Sequence, residues 1–116
     1  MEQNAVLQAL SALAQQTRLE VFRCLVRAEP EGLSAGKLGG LLTIAGPSLS
    51  FHLKELRHAG LIRHQRQGRS IIYRADLSAM VELLGYLTRN CCRGEDGSAP
   101  APVCERIAFS ECVDCD

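Results

Sequence analysis

Ser48-Leu49-Ser50-Phe51-His52-Leu53-Lys54-Glu55-Leu56-Arg57-His58-Ala59-Gly60-Leu61 reads as one short helix, with a turn before it and a glycine stop behind it. Leu49, Leu53 and Leu56 recur at helical spacing and predict a face turned to a core. Pro47 suits a first helical position, and Gly60 stands where a C-terminal cap belongs. Ser48, Ser50, His52, Lys54 and Arg57 fall among the more exposed positions. Hydroxyls, an imidazole and two cations on one surface suit phosphate oxygens and base edges, which predicts a recognition helix for DNA. The competing reading is that these side chains merely solvate a surface, with His52 packed under a neighbouring element.

Upstream, Ser34 predicts the cap of a short helix over Ala35 to Leu42, with Leu38, Leu41 and Leu42 inward. Gly36, Gly39 and Gly40 weaken it, so packing must hold it. Two short helices, a tight turn at Thr43 to Pro47 and a polar-faced second helix make a helix-turn-helix. Before it, Val6, Leu7, Leu10 and Leu13 stripe a first helix over Ala5 to Ala14. Thr17 and Glu20 have the spacing of a capping box, opening a second helix whose buried face is Leu19, Phe22, Leu25 and Val26. Cys24 lies in that helix, as a small buried thiol in preference to a ligand.

Downstream, Leu61 to Gln67 and Ser70 to Arg74 are short β-permissive runs around Gln67-Gly68-Arg69, the hairpin of a winged helix-turn-helix. Arg63, Arg66 and Arg69 can lie along the flanking phosphates, or simply keep the hairpin soluble. Asp76 predicts the cap of a last helix, Leu77 to Asn90. Met80, Val81, Leu83, Leu84 and Leu87 make that helix apolar over a wider arc than a small domain needs inside. With the first helix it is the natural subunit interface. The fold class expected is mainly α with a small β-hairpin, homodimeric.

The 116 residues suit one such domain, over residues 1–90, followed by a cysteine-rich tail over residues 91–116. The formal net charge of zero conceals an uneven distribution. Lys54, Arg57, Arg63, Arg66, Arg69 and Arg74 face a lone Glu55 in the middle of the chain, whereas the tail is acidic. The local field is what a partner experiences. No apolar run approaches the length of a membrane span and no secretory signal opens the chain, so a cytoplasmic protein without membrane contact is expected. In a reducing compartment the six cysteines point to metal or redox chemistry in preference to disulfides. Catalysis is not expected: there is no glycine-rich phosphate loop or paired acid-base motif. The Cys112-Val113-Asp114-Cys115 pair ends the chain instead of opening a helix beside a sheet.

The order helix, helix, helix-turn-helix, wing, helix resembles the arsenic-repressor (ArsR-type) family of bacterial metal-sensing repressors. The residues carrying the resemblance are Leu13-Ala14-Gln15-Gln16-Thr17-Arg18-Leu19-Glu20 and Pro47-Ser48-Leu49-Ser50-Phe51-His52-Leu53-Lys54-Glu55-Leu56. Ala59-Gly60-Leu61-Ile62, Gly68-Arg69 and Tyr73-Arg74 complete it, over about Leu7 to Leu87. It implies a homodimer through the first and last helices that binds double-stranded, palindromic operator DNA and releases it when an inducer binds. The chain departs from the family's Cys-x-Cys inducer site, having Ser34 and Gly36 there, and its last helix lacks the histidine of the other common site. Some relatives place arsenic thiols at or beyond the end of the last helix, and Cys91-Cys92 followed by Cys104 resembles that arrangement.

Thiolates select soft ions, and trivalent arsenic or antimony takes three sulfurs in a pyramid. Cys91, Cys92 and Cys104 are the favoured set, closed by the segment from Arg93 to Val103. Cys112 and Cys115 remain open as recruits to that site, as part of a four-thiolate zinc or cadmium site, as a redox pair, or as spare thiols.

Overall fold

Gln15, not Thr17, opens the second helix. Its side-chain oxygen accepts from the Arg18 amide at 2.8 Å, and Glu20 accepts from the Gln16 side chain, so the expected capping box is not formed. The computed structural model describes residues 1–89. It contains α1 (Gln3–Leu13), α2 (Gln16–Arg27), β1 (Leu33–Ser34), α3 (Ala35–Leu42), α4 (Gly46–His58), β2 (Ile62–Gln67), β3 (Ser70–Ala75) and α5 (Leu77–Thr88). Met1–Leu83 forms one compact unit, and the chain from Leu84 onward belongs to a second. The expected end of the last helix at Asn90, the tail domain 91–116 and its cysteines lie outside the described residues.

The core of the first unit is built by α2, α3 and α4. Leu25, Leu38, Leu49, Leu53, Leu56 and Leu61 are fully enclosed, with Val21 and Phe22 beside them. Burying each leucine stabilises the fold by about 1.5–3 kcal/mol. Cys24 is buried with a free thiol. Leu19 and Leu41 were expected inside and are outside, Leu41 being 65% exposed, while Val21 takes the inward place on α2. On α1 the inward residues are Val6, Ala9 and Ala12, whereas Leu7 and Leu10 face out. Small residues let α1 lie close to the helices beneath it and leave the larger side chains on the far face. On α5 the buried residues are Ala79 and Leu83, with Leu77, Val81, Leu84 and Leu87 exposed.

The wing is three-stranded, not a simple hairpin. Its order is β1-β3-β2, all antiparallel, with Leu33 opposite Tyr73 and Ser34 opposite Ile72. The two longer strands pair from Ile62 opposite Ala75 to Gln67 opposite Ser70, leaving Gly68 and Arg69 as a two-residue loop. Gly32, at φ +78°, brings the chain against β3, where a Cβ would meet the Tyr73 carbonyl at 2.5 Å. Only glycine fits there. Ser34 caps α3 by accepting from the Lys37 amide at 3.2 Å, and Asp76 caps α5 by accepting from the Ala79 amide at 3.1 Å. Both caps fall where the sequence places them.

Candidate nucleic-acid interface

The candidate surface for nucleic acid starts from the turn between α3 and α4. Thr43 adopts the left-handed conformation at φ 55°, its amide and that of Ile44 both return to the Gly39 carbonyl, and Ala45 leads into α4. Pro47 lies in the first turn, where its missing amide hydrogen costs nothing. At the other end Gly60, at φ +77°, closes the helix, and the Leu61 amide returns to the Leu56 carbonyl at 3.1 Å. Leu49, Leu53 and Leu56 anchor one face in the core, so the opposite face is held rigidly toward solvent.

Ser48, Ser50, Lys54 and Arg57 are all exposed on α4. His52 is different. It is half-buried at the edge of the leucine stripe, and its Nδ1 is shielded from solvent without a hydrogen-bond partner among the described residues. Desolvation lowers its pKa below the ordinary 6.5, the neighbouring Arg18 charge lowers it further, and Glu55 acts in the opposite sense. The first two effects disfavour the charged imidazolium beside this arginine. Phe51 was missed by reading the polar residues alone. It is 54% exposed and sits edge-on to His52, ring centroids 5.7 Å apart. Helical geometry of about 100° per residue places Phe51 roughly 165° from the middle of the buried stripe, close to the centre of the outward face. His58, also exposed, shares that arc.

On the wing, Arg66 and Arg69 are exposed at the tip end, Arg66 lying opposite Ile71 and donating to the Gly68 carbonyl at 3.4 Å. One other cation of the basic middle is engaged in the fold. Arg74 donates to the Pro30 carbonyl at 2.9 Å and to the Gln65 side chain at 3.2 Å. Arg63 lies 4.0 Å from the Asp76 carboxylate with its side chain still 66% exposed. Asp76 has its pKa held below the ordinary value, first by the Ser78 hydroxyl, then by the Ala79 amide and Arg63, against the opposing effect of burial. Lys54 and Arg57 on the helix and Arg63, Arg66 and Arg69 on the wing are thus the exposed cations of this surface.

A rigid polar helix presented by a tight turn, beside a basic hairpin, defines the class: a winged helix-turn-helix that binds DNA. Similarity to known proteins narrows it. A helix-turn-helix domain family model matches residues 13–65. The chain is 33% identical over 92 residues to the transcriptional activator HlyU of Vibrio cholerae serotype O1, covering 75% of this chain and 82% of that one. It is 32% identical over 79 residues to the nodulation protein NolR of Rhizobium meliloti, covering 68% of this chain and 62% of that one. Among solved structures, an ArsR-like transcriptional regulator from Rhodococcus sp. RHA1 superposes with a TM-score of 0.70 at 25% identity, covering 95% and 92% of the two chains. The chain belongs to the ArsR family of winged helix-turn-helix transcriptional regulators. Its relatives are DNA-binding regulators, not enzymes, and no helix among the described residues is long and apolar enough to cross a membrane.

Proposed function

We propose that this regulator is a cytoplasmic, homodimeric repressor that holds palindromic operator DNA through α4 and the wing. It releases that DNA when trivalent arsenic or antimony binds Cys91, Cys92 and Cys104. The observation that carries the reading is the outward apolar row of α5, where Leu77, Val81, Leu84 and Leu87 are exposed up to the turn just before Cys91-Cys92. Leu7 and Leu10 on α1 are exposed in the same way. Apolar side chains of this size on two helices supply a subunit interface, and the thiols follow directly on one of them.

The donor chemistry supports the tail as the inducer site. Among the described residues no three His, Cys, Asp or Glu side chains come together as a metal site, and Ser34 is occupied as the α3 cap. Three thiolates would hold a trivalent metalloid through sulfur. Binding there would tie the three thiols together beside the end of the interface helix. If only one dimer geometry allows that arrangement, the spacing of the two α4 helices changes and operator affinity falls. Coupling of about 1–3 kcal/mol suffices for a five- to hundredfold loss.

The test is fluorescence anisotropy of DNA from upstream of the gene, with reduced protein, titrated separately with arsenite and with zinc. Release by arsenite alone is expected, with Cys91→Ser, Cys92→Ser and Cys104→Ser each keeping DNA affinity and losing release. Loss of DNA binding in those variants counts against the assignment. A second reading keeps the scaffold and changes the signal: zinc or cadmium at a four-ligand set drawing on Cys112 and Cys115, or oxidation of the thiols. Release by zinc alone would select the first of these, and release only by oxidant the second. The Vibrio cholerae relative is named an activator, so a promoter fusion measured with and without the gene fixes the sign of control.

A further inference from the structure

Phe51 is a large apolar ring at the centre of a polar, cationic face. Leu49, Leu53 and Leu56 account for the buried side of α4, and Phe51 points almost directly away from them with more than half its surface in solvent. Its edge contact with His52, at 5.7 Å and 65°, restricts how it can turn.

We propose that Phe51 is a specificity-determining residue that reads a thymine 5-methyl group in the major groove of each operator half-site. The inference rests on the reading of α4 as the helix that enters that groove. Phe51 lies in the N-terminal half of α4 (Gly46–His58), the part of a recognition helix that reaches base edges. The thymine methyl is the one apolar group displayed on the major-groove edges of the base pairs. A phenyl ring has no donor or acceptor to offer. Set against the polar edge of guanine, adenine or cytosine it strips water from those atoms and replaces it with nothing. Set against a methyl it buries apolar surface on both sides. Lys54 and Arg57 on the same helix, with Arg66 and Arg69 on the wing, supply the phosphate contacts that hold the ring in register. A second copy of the chain is disfavoured as the occupant because it would bring the same cations to the same face.

The test removes one methyl at a time. An operator obtained by selection from random duplexes is rebuilt with each thymine replaced in turn by uracil. Wild type, Phe51→Ala and Phe51→Leu are then compared by anisotropy at one salt concentration. The expected result is one thymine per half-site at which uracil weakens wild-type binding by about fourfold, the worth of one buried methyl group. That sensitivity should vanish in Phe51→Ala and survive in part in Phe51→Leu. Identical uracil profiles in wild type and Phe51→Ala would overturn the assignment. So would a flat profile combined with a shift of the Phe51→Ala sedimentation equilibrium in the absence of DNA, which would place the ring at a protein contact. Failure of α4 as the reading helix looks different, because Lys54→Ala would then leave operator affinity untouched as well.

Discussion

Arg18 reaches back across the α1–α2 junction and donates from Nε to the Ala12 carbonyl at 2.8 Å. The bond satisfies a carbonyl at the C-terminal end of α1, where intrahelical donors run out. It also sets a positive charge beside His52 on α4. Replacing Arg18 with Met keeps the aliphatic stem and removes the donor, and should cost about 1–2 kcal/mol. Urea unfolding of the two proteins, compared at constant slope, measures it.

The same substitution should be visible at His52. Its pKa is lowered by desolvation first and by Arg18 second, so Arg18→Met should move the imidazole titration upward without restoring it to 6.5. Proton NMR of the histidine ring follows this directly. The consequence for stability has a definite sign. An imidazole held neutral in the fold takes up a proton more readily in the unfolded chain. Its stabilising contribution is full above pH 6.5 and is lost as pH falls from there through the folded-state value. Wild type should therefore lose more unfolding free energy between neutral and mildly acidic pH than His52→Gln does.

Two adjacent glycines in α3 should respond in opposite ways to alanine. At Gly40 an added Cβ meets nothing within 4 Å, so Gly40→Ala gains helix propensity alone and should stabilise by about 0.5–1 kcal/mol. At Gly39 the same Cβ comes within 3.1 Å of the Ile44 carbonyl, in the turn that presents α4. There the propensity gain is opposed by displacement of that turn. Thermal melts should rise for Gly40→Ala and stay level or fall for Gly39→Ala, with operator affinity reduced only in the second.

Arg66→Ala and Arg69→Ala address the wing. If each cation meets one phosphate, each substitution should reduce the salt dependence of operator binding by about one unit of slope, with little change in sequence preference. Arg74→Ala should behave differently, because that side chain is bonded to Pro30 and Gln65 and its loss loosens the sheet. Anisotropy across a series of potassium concentrations, paired with melts, separates a phosphate contact from a structural arginine.

Much of this fold is legible in the chain because α4 is bounded and patterned so clearly. Leu49, Leu53 and Leu56 define a face, Pro47 and Gly60 define the ends, and the caps at Ser34 and Asp76 follow from side-chain chemistry within three residues. What is hidden depends on distant partners. β1 is two residues long and exists only because Leu33 and Ser34 meet Tyr73 and Ile72. On α1 the leucines outrank the alanines in hydrophobicity, yet the close approach of neighbouring helices selects Ala9 and Ala12 for the inside. Phe51 is a different case: its outward angle follows from Leu49, Leu53 and Leu56 on the same helix, and weighing the polar residues alone passes over it.

Ser34 has two attachments that act in different directions. Its backbone pairs with Ile72 in the sheet, and its hydroxyl oxygen holds the Lys37 amide at the first turn of α3. One residue thus rivets the edge of the sheet to the first turn of the helix that carries the turn before α4. Removing the Ser34 hydroxyl would undo the rivet on the helix side alone and leave the β1–β3 pairing in place.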